Sequence, residues 1–369
     1  MDRRRFMIFF SIVVTIWALV HVFIGLSLVP GIQPAWAGWL VVAGLFALPV
    51  ITMFVGRVNR HIPFKAAIEW AGFTSMGLST ILLVLAPAAA LLHADSWLEP
   101  RMVTAWILGL AIAYVVVGVW RSRRPLVVRV DVPIQDLPHD LEGFRILQIS
   151  DLHIGPTLKR GFVERVVQTA NSLEPHLIAL TGDVADGLPL AMHDEVAPLS
   201  RLGAPYGKFF VTGNHEYYWD ALGWVKEVER LGFDPLVNSH RVIKRGGSRI
   251  LLAGVTDSSA SAWTPGHRFD PQAAVSGAPE TDFKLLLAHQ PSNAFAAQKL
   301  GFDLQLSGHT HGGQYFPFSL LVRLFQPFVH GLHKVKEMWL YVSRGTGYWG
   351  PPMRIGAPSE ITLLQLVRA

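Results

Sequence analysis

Hydrophobic and polar positions divide the chain into two regimes. Residues 6–29, 36–55, 66–92 and 102–120 are almost wholly apolar, each long enough for the roughly 20-residue helix that crosses a bilayer. Beyond residue 125 the apolar runs shorten. The stretches 126–130, 144–150, 176–181, 208–212, 241–244, 249–255, 283–288, 302–306, 338–342 and 361–367 are rich in Ile, Leu, Val or Phe and read as strands. Between them, 158–173 carries Phe162, Val166, Val167 and Ala170 at helical spacing, and 219–231 carries Trp224, Val225 and Val228. The alternation, with 241–244 and 249–255 following each other without a helix between, predicts an α/β fold. Two packed mixed β-sheets flanked by helices form a four-layer sandwich, preceded by an α-helical membrane region. The expected organisation is a membrane region over 1–124, a linker with an edge strand over 125–143, and the α/β domain over 144–369.

Five of the strand-like runs end in residues of metal-binding type. Asp151-Leu152-His153 follows 144–150, and Gly182-Asp183 follows 176–181. Gly213-Asn214-His215-Glu216 follows 208–212, and His289 follows 283–288. Gly308-His309-Thr310-His311-Gly312-Gly313-Gln314 follows 302–306. Buried strands that end this way deliver polar groups to one edge of a sheet. Imidazoles at i and i+2 of a tight turn can face two neighbouring cations, and the flanking glycines let the backbone approach a ligand closely. A polar turn is commonplace singly; the same arrangement at five strand ends points to one site. The chain has no cysteine, which removes disulfides and thiolate ligands. His, Asp and Asn remain, a donor set suited to divalent Mn, Fe, Zn or Co.

The ordered set D-x-H, G-D-x-x-D, G-N-H-E, H and G-H-x-H resembles the calcineurin-like metallophosphoesterase superfamily, from about Phe144 to Ala369. The glycine-rich histidine loop, with Ser343-Arg344-Gly345-Thr346-Gly347, Pro352-Met353-Arg354 and Pro358-Ser359-Glu360-Ile361, is similar to its bacterial membrane-associated phosphodiesterase branch. The resemblance implies two metal ions. Asp151, His153, Asp183 and His311 would hold one, and Asp183, Asn214, His289 and His309 the other. Such a pair clamps a phosphate ester and acidifies a water for in-line attack. It also implies that His215 assists the leaving group and that Asp186 orients it. Gly187 stands where protein-phosphatase relatives carry a phosphate-binding arginine, which argues against phosphoprotein substrates. Glu216 and Gln314 read as supporting residues, and His139, His176, His193, His240 and His267 as ordinary ones. His330 and His333 lie on a loop that could overhang the site.

Charge refines the picture. Of the net +5, residues 1–124 hold 10 Lys+Arg against 4 Asp+Glu, and the remainder holds 22 against 23. The α/β domain therefore lacks the basic excess of a nucleic-acid binder. Arg3, Arg4 and Arg5 precede the first apolar run. Arg57, Arg60 and Lys65 separate the second from the third, and Arg121, Arg123 and Arg124 follow the fourth. The other two connections hold Arg101 beside Asp95 and Glu99. The positive-inside rule then places both termini and the α/β domain on the cytoplasmic side of a bacterial inner membrane, as a multi-pass protein. The alternatives are a cleaved signal peptide, or a twin-arginine export signal with the domain on the exported face. Glu69, near a span end, is placed to snorkel to the interface, and His21 reads as a packed or interfacial residue rather than a ligand; no ionisable cluster within the spans suggests transport.

The expected function is a membrane-anchored two-metal phosphoesterase. Diesters come ahead of monoesters, a lipid-linked diester is a candidate substrate, and membrane lipids rather than nucleic acid are the partners. The rivals are a non-catalytic receptor or scaffold on the same fold, and a monoesterase or nuclease of the superfamily. The apolar run 315–329, followed by His330, His333, Lys334 and Lys336, reads either as core or as an interfacial lid.

Overall fold

The computed structural model describes residues 3–57, 64–94, 98–264 and 266–369. Arg60 and Asp95, which entered the charge argument above, lie outside the described residues. Two compact units emerge, residues 1–120 with 350–353, and residues 121–349 with 354–369.

The first unit holds α1 (Arg3–Leu28), α2 (Ala35–Arg57), α3 (Lys65–Ala94) and most of α4 (Pro100–Ser122). Four segments, Met7–Gly31, Ala35–Val55, Lys65–Ala94 and Pro100–Ser122, are long and apolar enough to cross a membrane. Small residues let α2 and α3 approach: a Cβ on Gly72 would run into the Thr52 side chain, whose hydroxyl donates to the Ile68 carbonyl at 3.2 Å. His21 is packed as expected, buried and 3.0 Å from the Ser79 hydroxyl. Glu69 departs from expectation. It is buried, with Lys65 one turn earlier 3.9 Å from its carboxylate.

The second unit is the α/β sandwich. Its strands are β1 (Leu126–Ile134), β2 (Arg145–Ile149), β3 (Leu177–Thr181), β4 (Lys208–Val211), β5 (Asp234–Pro235), β6 (Ser239–Arg245), β7 (Ser248–Gly254), β8 (Phe283–Leu287), β9 (Leu304–Ser307), β10 (Gly331–Val335), β11 (Met338–Val342) and β12 (Glu360–Arg368). Its helices are α5 (Arg160–Ser172), α6 (Pro189–Val196), α7 (Asn214–Trp219), α8 (Ala221–Arg230), α9 (Pro271–Val275), α10 (Ala294–Ala297) and α11 (Phe318–Phe325). One sheet runs β1-β12-β2-β3-β4-β5 and the other β10-β11-β9-β8-β7-β6.

Strand periodicity builds the layers. In β2, Ile146 faces the second sheet with Leu177, Phe283, Leu285 and Leu304, while Leu147 and Ile149 face α5 and α8 through Phe162, Val166, Trp224 and Val228. The outer face of the second sheet buries Leu286, Leu340 and Val342 against Ala294 and Ala297 of α10. The two mixed sheets flanked by helices are those the sequence predicts. The strands β2, β3 and β4 are parallel neighbours, as are β7, β8 and β9. Their C-terminal ends therefore share an edge within each sheet, where ligands collect in open α/β sheets.

Candidate metal centre

The two sheet edges are joined by hydrogen bonds from strand and motif residues. Gln148 donates to the Ser307 carbonyl at 2.9 Å, and the His309 amide donates to the Asp151 carboxylate at 3.0 Å. His289 lies 2.8 Å from the Thr181 carbonyl. Leaving each strand, the chain turns sharply: Asp151, His153, Asp183, His309 and His311 all have positive φ, between 45° and 71°. Asp and His tolerate this region better than branched residues, but the strain remains, and such positions concentrate at functional sites. Two glycines permit the crowding. A Cβ on Gly213 would strike the Asp183 carboxylate, and one on Gly308 would strike Ser150 and Asp151.

The turns bring all seven sequence-predicted ligands together in two donor groups. Asp151, His153 and His311 form one, and Asp183, His289 and His309 the other. Asn214 joins the second group: its Oδ1 is 3.2 Å from His289 Nε2 and 3.0 Å from His309 Nδ1. Asp183 faces both, with Oδ2 3.3 Å from His289 Nε2 and 3.6 Å from His153 Nε2. The donor chemistry fits divalent cations. His289 Nδ1 faces a carbonyl and His153 Nδ1 faces the Asp186 carboxylate at 3.1 Å, so each carries a proton there and turns Nε2 inward as the atom that would meet a cation. His153 Nε2 and His311 Nε2 lie 3.1 Å apart, close enough to require a proton or a cation between them.

His215 and Asp186 form a third donor group with His153, which they share with the first. The His215 ring lies 2.6 Å from Asp186 Oδ1 through Nδ1, and its amide donates to Asp183 Oδ1 at 2.9 Å. Burial pulls the His215 imidazole down, but Asp183 and Asp186 outweigh it and push the pKa up to about 9. Burial would raise the Asp186 carboxyl; His153 and His215 instead hold it far below the carboxylate range. Asp183 follows the same logic, with burial opposed by His289, His215 and His153. His289 is raised well above the usual imidazole range, its burial overcome by Asp183.

Glu216 and Gln314 have structural partners. Glu216 accepts the amides of Asp183, Val184 and Gly213 at 2.9, 2.7 and 2.6 Å; burial first, then Asp183, pushes its pKa up to about 7. Gln314 donates to the Trp349 carbonyl and accepts its amide, both at 3.0 Å. His330 and His333 enter none of the three donor groups found among the described residues.

Two further residues escaped the sequence reading. Arg354 is fully buried, donating to the His311 carbonyl at 2.6 Å, to His311 Nδ1 at 2.8 Å and to the Gly347 carbonyl at 2.6 Å. Since arginine only donates, His311 Nδ1 is an acceptor and its ring proton lies on Nε2, the atom that would lose it on holding a cation. Burial lowers the Arg354 guanidinium to about 9. Asp257, beyond β7, is buried and accepts Gln290 Nε2 at 3.0 Å, which braces the residue after His289. Its position follows the strand-end rule that found the other five turns; Arg354 lies in a quoted motif but carries no spacing signal.

Comparison with known proteins gives a consistent result. The model of the calcineurin-like phosphoesterase family matches residues 144–313. The chain is 40% identical over 256 residues to a transmembrane protein with metallophosphoesterase domain from Danio rerio, covering 67% of this chain and 59% of that one. An uncharacterized metallophosphoesterase of Aquifex aeolicus is 30% identical, covering 68% of this chain and 97% of that one. The chain spans about three fifths of the Danio rerio and Bos taurus relatives. Among solved structures, the NAD nucleotidase of Haemophilus influenzae overlaps 55% of this chain and 45% of that one, at 16% identity and a TM-score of 0.38.

Proposed function

The chain belongs to the calcineurin-like phosphoesterase family, and from that premise we propose that it is a membrane-anchored hydrolase of phosphodiesters working with two divalent cations. The observation that carries this reading is Asp183 Oδ2, 3.3 Å from His289 Nε2 in one donor group and 3.6 Å from His153 Nε2 in the other. Asp151, His153, Asp183 and His311 would hold one ion, and Asp183, Asn214, His289 and His309 the other. Bound there, ions such as Mn, Fe, Zn or Co supply Lewis-acid charge for a phosphate ester and lower the pKa of water.

The remaining work falls to the chain itself. Asp186 fixes the His215 proton on Nδ1 at 2.6 Å, so Nε2 is the atom that hands a proton to the leaving oxygen. Glu216 braces the turns at Asp183 and Gly213 through three amides. A singly charged diester suits the balance of charge. Arg354 is committed to His311 and backbone carbonyls, and Arg344 to Glu360 at 2.8 Å, so neither is turned to the second charge of a monoester. The membrane-length helices support anchoring, and the basic connections support a cytoplasmic α/β domain. A lipid-linked diester is then within reach of an anchored site.

The full chain in detergent, given bis-p-nitrophenyl phosphate and p-nitrophenyl phosphate with Mn or with chelator, tests the reading. We expect faster turnover of the diester and none with chelator. Preference for the monoester would reassign the substrate class, and inactivity with Mn, Zn and Co alike would favour a scaffold. A reporter fused after Ala369, active only in the cytoplasm, tests the sidedness.

A further inference from the structure

Resting on the hydrolase reading above, we propose that α11 is an interfacial helix whose apolar face lies in the headgroup boundary of an anionic bilayer. There it holds the metal edge beside the phosphodiester of a lipid.

The helix is built inside out. None of its side chains is buried, and Phe318, Leu320, Leu321, Leu324 and Phe325 are all exposed, the last two at 75% and 80%. A helix lying on a domain normally turns its apolar stripe to the core. This one is held at its ends instead, and both anchors are on the histidine loop. A Cβ on Gly313 would meet the Ser319 backbone, so the first turn sits on the glycine turn itself. Beyond the helix, the Thr310 hydroxyl donates to the Val329 carbonyl at 2.5 Å. The segment is therefore fastened on either side of His311, with its apolar residues turned away.

A second feature surrounds the same site. The rings of Tyr218 and Trp349 lie 5.0 and 5.8 Å from that of His215, and Trp263 lies 5.1 Å from Tyr218. All three are exposed. Gln314, at the entry to α11, is hydrogen-bonded twice to the Trp349 backbone, so the rings and the helix frame one site. Tyr and Trp favour the headgroup level of a membrane, where one end of the ring is wet.

Charge and chain connectivity select a bilayer as the occupant. The segment 315–329 that contains α11 carries exposed Arg323 and no Asp or Glu, which complements anionic headgroups. The chain also carries four helices of membrane length, and only residues 123–125 separate α4 from β1. A domain tethered this closely meets a bilayer before any soluble partner.

The absence of cysteine makes a direct test simple. Leu324→Cys, and as control Leu190→Cys on α6 at 89% exposure, are labelled with bimane in the full chain and reconstituted into phosphatidylcholine–phosphatidylglycerol vesicles. We expect iodide to quench the label at 324 about fivefold less than at 190, and doxyl lipids to quench it only at 324. Equal iodide access at both positions would overturn the proposal. So would shielding at 324 without doxyl quenching, which would mean that protein, such as a second copy, covers the helix. Independently, the double variant Leu324→Ser/Phe325→Ser should keep its rate on bis-p-nitrophenyl phosphate within about twofold and lose roughly tenfold on phosphatidyl-p-nitrophenol in vesicles. Equal loss on both would count against an interfacial role. A wild-type chain inactive on both diesters would sink the hydrolase reading alone, and the quenching would still decide the helix.

Discussion

Residues 308–325 hold two neighbouring stretches that invert the usual partition of side chains in opposite senses. In the histidine loop, polar His311 and Gln314 are buried. In α11, a few residues on, Phe318, Leu321 and Phe325 are exposed. Burying titratable groups costs desolvation, and exposing large apolar ones forgoes hydrophobic stabilisation. Neither choice serves folding, and departures from local consistency gather where a protein acts on something else. α8 supplies the contrast. Leu222 aside, its apolar residues are turned inward, with Trp224 and Val228 fully buried. An apolar helix face thus builds core in one place and is turned outward in the other.

Substitutions can break this contrast from its polar side first. Asp183→Asn and His309→Ala should each lose bound metal, read by elemental analysis, and about three orders of magnitude or more in kcat/KM. His215→Ala should retain the metal and lose about two to four orders in turnover; an emptied site would recast His215 as a ligand. Metal affinity should keep rising with pH above the usual imidazole range. The His289 pKa is raised in the cation-free protein, so a proton is held there at neutral pH and must leave on binding. Calorimetry in buffers of different ionisation enthalpy would reveal that release, and an absence of proton exchange would contradict the assignment of His289. The smallest effects test the apolar side. Trp224→Ala should cost about 3–5 kcal/mol in urea unfolding, whereas Leu324→Ser/Phe325→Ser should stay within about 0.5 kcal/mol per site.

Much of this arrangement is legible in the sequence, for a physical reason. A short buried strand leaves a nearly continuous apolar run, and its end is marked by the first polar residue, so the turns at Asp151, Asp183, Asn214, His289 and His309 announce themselves. The direction in which α11 turns is not legible, because periodicity defines a face without naming what covers it. β10 is hidden because His333 and Lys334 interrupt its apolar pattern, as suits a sheet edge that must not pair further. β1 extends past its expected end through Pro133, which an edge strand accommodates. Arg354 is unreadable for another reason: its acceptors are carbonyls of Gly347 and His311, which meet it only when separate loops pack.

The placement of β12 has a consequence for the order in which the molecule can be made. β12 lies between β1 and β2, pairing with one from Leu126–Glu360 to Ile134–Arg368 and with the other through Gln148–Thr362. A ribosome releases β1 soon after the membrane-length helices and β12 only after the other strands of the domain. Until then β1 lacks β12, its one neighbour among the described strands, and the sheet that carries Asp151, Asp183 and Asn214 remains in two pieces. Translation would therefore complete the membrane-length helices while the donor residues of the site are still unassembled. Stalled chains ending before residue 360 should be cut readily by protease within 126–134, and chains extended past 368 should resist. Protection of β1 in the shorter chains would show that it finds another partner during synthesis.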